Sequence, residues 1–158
     1  MSLKIRQAQK AFEECKGLVV FKERMANSIP KAEIVIDIDS IKALQGTAKW
    51  RQVEEPVVWC VFSLLTDSTI PILLNTISSG FNNALSDAMS KEVAAEEMHK
   101  IVITFAQDQE TIYAESKVAL SKNDKTWTVT VTRNWNSVTD IGYGVDPDKL
   151  KAQIVNSL

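Results

Sequence analysis

Alternation of apolar and polar residues predicts four β-strands in this chain. A two-residue period places successive side chains on opposite faces of a strand. Between residues 33 and 39 it puts Ile34, Ile36 and Ile38 on one face, with acidic residues and Val35 on the other. Three later segments share this period, and their apolar positions are Ile101, Ile103 and Phe105, then Ile112, Ala114, Val118 and Leu120, then Trp127, Val129 and Val131.

The last three segments predict an antiparallel meander, because short polar stretches at 107–110 and 121–125 join them. We expect their apolar positions to be buried, while Thr128, Thr130 and Thr132 face water, since a one-residue slip would invert every side chain. Strand 33–39 is expected to add to an edge of the meander.

Apolar residues at three- and four-residue steps predict two long helices. A helix over 3–27 carries the stripe Ile5, Ala8, Phe12, Cys15 and Val19. A helix over 69–89 carries Ile70, Leu73, Leu74, Ile77, Phe81, Ala84, Leu85 and Ala88. Gly80 within it predicts a close packing contact, since glycine otherwise weakens a helix.

The ends of the shorter helices are marked by residues suited to capping. Ser90 is expected to cap a short helix that runs through Met98. In the final helix Asp146 is the expected cap and Pro147 the first helical residue, with a buried stripe of Leu150, Ile154 and Leu158.

The segment 48–66 supports two interpretations. Glu54, Glu55 and Pro56 resemble the first turn of a helix, whereas residues 57–62 have strong strand propensity. A buried helix is the preferred interpretation, and a strand is the alternative.

Together these elements predict one α+β domain spanning residues 1–158. We expect two layers: a mostly antiparallel sheet of about four strands, containing the C-terminal three-strand meander, with helices packed on one face.

Composition narrows the class of protein. Apolar residues make up 45%, charged residues 24%, and the formal net charge is −2. These values are typical of a globular domain and do not favour binding to nucleic acid or to a membrane surface. Two cysteines are too few for a disulfide framework, and no apolar run reaches membrane-spanning length. A cytoplasmic location is the expectation.

Candidate chemistry is sparse. The single histidine, His99, is expected to be structural or exposed, and the row of Glu33, Asp37 and Asp39 is expected to be the solvated face of an edge strand. The sequence contains no glycine-rich phosphate loop and no nucleophile motif. We therefore predict no catalytic residues, no metal and no cofactor.

Residues 134–145 form the predicted recognition loop. Trp135 and Tyr143 are the candidate anchors, with Arg133 and Asn136 at the edges, because these aromatic and arginine residue types dominate binding hot spots. The alternative is that Trp135 continues the apolar face of Trp127 and simply covers the core.

Two function classes follow from these observations. The first is a non-enzymatic cytoplasmic interaction module that binds a protein partner or a second copy of itself. The alternative is a domain that binds a small apolar ligand in a pocket between sheet and helices, which rests on the apolar density at 57–65 and 70–77.

Overall fold

A computed structural model of the protein describes residues 3, 6, 7, 10, 14, 16–37, 39–40, 69–108, 117–133 and 146–158. This part of the chain forms four helices and one four-stranded sheet, which confirms the α+β class. The elements are α1 (Lys16–Ser28), β1 (Glu33–Ile36), α2 (Thr69–Ala84), α3 (Ala88–Glu97), β2 (Lys100–Gln107), β3 (Lys117–Asn123), β4 (Thr126–Arg133) and α4 (Pro147–Ser157). Residues 3, 6, 7, 10 and 14 are also helical.

The sheet is mixed, so the predicted mostly antiparallel sheet with a three-strand meander is wrong. Its strand order is β1-β2-β4-β3. β1 pairs in parallel with β2, and β2 pairs in parallel with β4. Only β3 and β4 are antiparallel. The prediction that the first strand adds to an edge of the sheet is confirmed.

The burial of each strand explains why β4, and not β3, lies beside β2. β2 and β4 each bury a full row of apolar side chains, whereas the second half of β3 is polar and exposed. A strand with Ser121, Lys122 and Asn123 is suited to a sheet edge, where charge and short length discourage further pairing. Alternation along the sequence determines which face a residue takes, but not which strand lies beside it.

One face of the sheet forms the core together with the helices. The predicted burial is confirmed for Ile101, Ile103, Phe105, Val118, Val129 and Val131. Ile112 lies outside the described residues. Thr128, Thr130 and Thr132 lie on the opposite face and are half-exposed, as the alternation predicts.

Ser40 ends the pairing of β1 with β2. Its hydroxyl donates to the Asp37 carbonyl at 2.7 Å and accepts from the Phe105 amide at 3.0 Å. The preceding hydrogen bond between the two strands runs from the Asp37 amide to the Ile103 carbonyl at 2.8 Å. The Ser40 side chain therefore occupies the place of the next backbone bond, and the chain leaves the sheet here.

A two-residue turn, Asp124-Lys125, connects β3 to β4 in a hairpin. Both residues have positive φ, 49° and 60°. This conformation suits the right-handed twist of the strands, and it strains residues other than glycine, asparagine and aspartate. The Lys125 carbonyl also accepts the amides of His99 and Lys100, at 2.9 and 3.3 Å, which ties the turn to the start of β2.

The buried face of α1 differs from the predicted stripe. Leu18, Phe21 and Met25 are buried, whereas Val19 is 40% exposed. The remaining members of that predicted stripe lie outside the residues whose side chains are described. Two polar contacts, Arg24 with Asn75 and Ser28 with Asn82, join α1 to α2.

The contact predicted at Gly80 is between α2 and α4. A β-carbon on Gly80 would lie 2.9 Å from Cδ2 of Leu150, which is fully buried. Of the predicted α2 stripe, Leu74, Ile77, Phe81, Ala84 and Leu85 are buried, and the side chains of Ile70 and Leu73 lie outside the described residues. Ala88 is exposed, because α2 ends at Ala84 and a new helix starts.

Asp87, and not Ser90, is the cap of α3. The Asp87 carboxylate accepts the Ser90 amide at 2.8 Å and the Ser90 hydroxyl at 2.6 Å. Ser90 therefore lies inside the first turn and supports the cap. In α4 the predicted arrangement is confirmed, with Asp146 as cap and Pro147 as first helical residue.

Candidate interaction surface at the carboxyl edge of the sheet

The parallel pairing brings three strand ends to one edge of the sheet. β1, β2 and β4 all run in the same direction, so their last residues lie at the same edge. Antiparallel β3 begins there with Lys117, which pairs with Thr132. We call this region the carboxyl edge, and its described members are Asp37, Gln107, Asp108, Lys117 and the backbone of Arg133. In open sheets with parallel strands, ligands bind at this edge.

Charged and polar side chains line the carboxyl edge. Asp37 is half-buried, and its carboxylate accepts the Thr104 hydroxyl at 3.0 Å and the Ser40 amide at 3.2 Å. Asp108 and Lys117 form an ion pair at 3.4 Å. The Lys117 side chain is 65% exposed, so this pair contributes little to stability and leaves the cation accessible. Both signs of charge therefore lie at one edge.

Of the four sequence-predicted binding residues, the structure places the backbone of one. Arg133 is the last residue of β4 and pairs in register with Gln107 of β2. Trp135, Asn136 and Tyr143 lie outside the described residues. Arg133 is therefore the described residue that precedes the segment 134–145 in sequence, and the suggested roles of Trp135 and Tyr143 stay predictions.

Sequence reasoning did not connect Asp37 and Asp108 with Arg133. In a meander, β2 and the last strand would also run in parallel but with β3 between them, so Gln107 and Arg133 would not be neighbours. The available signal was the polar character of the residues that end each apolar strand. The polar character of these residues indicates a shared site only when the parallel pairing of the strands is known.

The other candidates from the sequence do not form a site. His99 is exposed and lies before β2, at the opposite edge of the sheet. Within the described part of the chain, no group of three histidine, cysteine or acidic residues is arranged to hold a metal ion.

Trp127 belongs to the core. It is fully buried, and its Nε1 donates to the Glu97 carbonyl at 3.0 Å. Lys122 lies over the ring, 5.4 Å from its centroid, and pairs with the Glu97 carboxylate at 3.1 Å. A buried ring cannot stack on a partner, so these contacts join β3 and β4 to α3.

The layer between sheet and helices is occupied by large side chains where it is described. Phe21, Ile77, Phe81 and Trp127 are all buried in one continuous cluster. The apolar density at 70–77 contributes Leu74 and Ile77 to this core, and 57–65 lies outside the described residues. No described contact favours an apolar-ligand pocket.

Comparison of the chain with family models, with curated proteins and with solved structures found no match. None of the described helices combines the length and the apolar character needed to cross a membrane.

Proposed function

We propose that this protein is a non-enzymatic interaction module that binds a protein partner at the carboxyl edge of its sheet. The observation that carries the proposal is the convergence of three parallel strand ends at that edge. The segment 134–145, with Trp135 and Tyr143, follows directly in sequence after Arg133, which ends the central strand β4 at this edge.

The charges at this edge suit a protein partner. Binding hot spots consist of aromatic and arginine anchors surrounded by polar residues that exclude water. Asp37, Asp108 and Lys117 would supply such a rim around anchors from 134–145, with Arg133 at the boundary. An edge with both signs of charge also favours a particular orientation of the partner. We propose that the protein acts in the cytoplasm, in keeping with its low cysteine content.

Site-specific photocrosslinking in the native cells tests this proposal. A photoreactive residue at position 136 should capture a defined protein. The same residue at Met89, which is 76% exposed on α3, serves as the control and should not capture it. Purified partner should then bind the unmodified protein and lose affinity for Trp135→Ala and Tyr143→Ala.

The stability of the two alanine variants separates recognition from packing. Unchanged unfolding with lost binding supports the proposal. A loss of about 3–5 kcal/mol in stability would show that the aromatic ring is part of the core. Unchanged stability together with unchanged binding would reject a recognition role for residues 134–145.

A further inference from the structure

β1 forms an edge of the sheet with one side of its backbone unpaired among the described residues. The Glu33 amide donates to the His99 carbonyl at 2.9 Å, and the Asp37 amide donates to the Ile103 carbonyl at 2.8 Å. Because strand hydrogen bonds alternate in direction, the amide and carbonyl groups of Ile34 and Ile36 point away from β2. We call these outward groups the free edge of β1.

The side chains at the free edge are incompletely covered. Ile34 and Ile36 lie on the core face in register with Ile101 and Ile103. The two β2 residues are fully buried, whereas the two β1 residues are only half-buried. An added strand would pair the outward backbone groups and cover the exposed sides of both isoleucines.

The opposite face of β1 carries negative charge. Glu33 and Asp37 flank Val35 there, and four residues of strand separate them by about 13 Å. Glu33 is 67% exposed, and its contact with Lys100 is long at 3.9 Å, so that carboxylate stays available. The Asp37 carboxylate also accepts the Thr104 hydroxyl and the Ser40 amide, so Glu33 is the more available of the two. A cation on an added strand would lie beside Glu33, and a second cation four residues away would lie near the negative charge of Asp37.

The same charges disfavour a second copy of this chain at the free edge. An antiparallel pair of β1 strands centred on Val35 would place Glu33 opposite Asp37 of the other copy. Like charges directly opposite each other destabilise a strand pair. The occupant that fits is therefore a basic segment from a different protein.

We propose that the free edge of β1 binds an extended segment of a partner protein, with two basic residues four positions apart and apolar residues between them. The segment adds a fifth strand to the sheet. Backbone hydrogen bonds to Ile34 and Ile36 provide affinity, and the carboxylates of Glu33 and Asp37 select the basic side chains. The two proposals share Asp37, but strand addition needs the outward backbone groups of Ile34 and Ile36 and does not need Trp135 or Tyr143, so either proposal can fail without the other.

A fluorescent peptide, Gly-Lys-Val-Val-Val-Lys-Gly, tests the proposal with the full-length protein. It should raise fluorescence anisotropy on binding, whereas a peptide with glutamate in place of both lysines should not. Glu33→Lys should weaken binding of the lysine peptide by about fivefold and strengthen binding of the glutamate peptide. Equal binding of the two peptides, or no binding of either, overturns the proposal.

Two N-methylated forms of the lysine peptide test the strand pairing itself. One is methylated on the first and third residues of the Val-Val-Val core, and the other on the central valine and both lysines. Only one set of amides points towards β1, so one form should lose binding and the other should keep it. Retention by both forms contradicts strand addition. If the protein forms a dimer and the peptide dissociates that dimer, the free edge binds a second copy of the chain. This result would likewise overturn the proposal.

Discussion

At the residue scale, Gly80 packs closely against Leu150. An alanine β-carbon would lie 2.9, 3.0 and 3.1 Å from Cδ2, Cγ and Cβ of Leu150. Only the first of these atoms is at the end of the side chain, so rotation of Leu150 cannot relieve all three contacts. The hydrogen atom of glycine therefore sets how closely α2 and α4 approach.

We predict that Gly80→Ala lowers the free energy of unfolding by roughly 1–2 kcal/mol. Overpacking costs about 1–3 kcal/mol and exceeds the gain of about 1 kcal/mol in helix propensity. Urea denaturation measures the change. Asn83→Ala, at an exposed position of the same helix, is the control and should change stability by less than about 0.5 kcal/mol.

A double-mutant cycle separates the clash from other effects. In a Leu150→Ala background the β-carbon has space, so Gly80→Ala should become neutral or stabilising. An equal loss in both backgrounds would contradict the packing explanation.

The Asp87 cap predicts a dependence of stability on acid pH. The Ser90 hydroxyl and then the Ser90 amide hold the pKa of Asp87 below its ordinary value of 3.8. The stabilising contribution of the carboxylate is therefore present above pH 3.8 and is lost as the pH falls through the lower folded-state pKa. Ser90→Ala should raise the pKa of Asp87 towards 3.8, as measured by an NMR titration of the carboxyl carbon.

Ser86→Ala is the matched control for this titration. Ser86 is exposed one residue before the cap, and no described hydrogen bond joins it to the Asp87 carboxylate. An equal change of pKa in both serine variants would rule out the Ser90 hydroxyl as the main cause.

Residue-level burial was predictable where a period was unambiguous. The valines of β4 and the isoleucines of β2 are buried as their alternation predicts. In α1 the sequence offers two apolar rows one residue apart, and the predicted row contains Val19 whereas the buried one contains Leu18. The two rows differ by about 100° around the helix, and only contact with α2 selects between them.

At the element scale, the hairpin turn holds an unfavourable residue. Lys125 has φ 60° without a glycine, while its side chain is exposed and its carbonyl holds the amides at the start of β2. The backbone conformation is therefore maintained by its hydrogen bonds, against the preference of lysine.

We predict that Lys125→Gly raises the free energy of unfolding by about 0.5–1 kcal/mol. Glycine adopts positive φ without steric cost, and Asp-Gly is a favoured pair for this turn. Thermal unfolding monitored by circular dichroism measures the shift. Asn123→Gly, at the last position of β3, should destabilise instead, because glycine inside a strand carries only its entropic cost.

The types of element were more predictable than their pairing. Strands and helices occur close to where their periodicity predicts them, because periodicity is a local property, but their ends differ. β1 stops at Ile36 and Asp39 is helical, whereas the predicted strand ran to residue 39, and β3 continues to Asn123 through part of the predicted connection 121–125. Pairing depends on contacts distant in sequence, such as Ile34 with Ile101, which local patterns do not record. The antiparallel hairpin was predicted and the parallel pairs were not, since only the hairpin has a short connection.

At the scale of the whole molecule, the order β1-β2-β4-β3 makes β2 and β4 the central strands. Both have a neighbour on each side, so opening them requires much of the sheet to separate. β1 is shorter, with four residues, and has a described neighbour only on one side.

We predict a corresponding order of amide hydrogen exchange. Amides of Val129 and Val131 should exchange most slowly, near the rate set by global unfolding. Within β1, the amides of Ile34 and Ile36 should exchange faster than that of Asp37, which is bonded to Ile103. NMR-detected exchange measures each amide, and slow exchange at Ile34 and Ile36 would contradict an unpaired edge in the isolated protein.

The candidate site was predictable only in part. The sequence indicated Arg133 as a boundary of a recognition segment, and the structure places it at an edge shared with Asp37 and Asp108. Which residues share that edge depends on strand direction. Strand direction in turn depends on the long connections between β1, β2 and β4, which have no short-range signature.

The position of β4 also has a consequence for synthesis on the ribosome. Among the described strands β4 is translated last, yet it lies inside the sheet between β2 and β3. Until residue 133 has emerged, the short parallel pair β1–β2 is the one described strand pair that can form, and two strands are too few to be stable by themselves. The apolar row Ile101, Ile103 and Phe105 then lacks its main neighbour, so the incomplete chain should depend on chaperones during this interval.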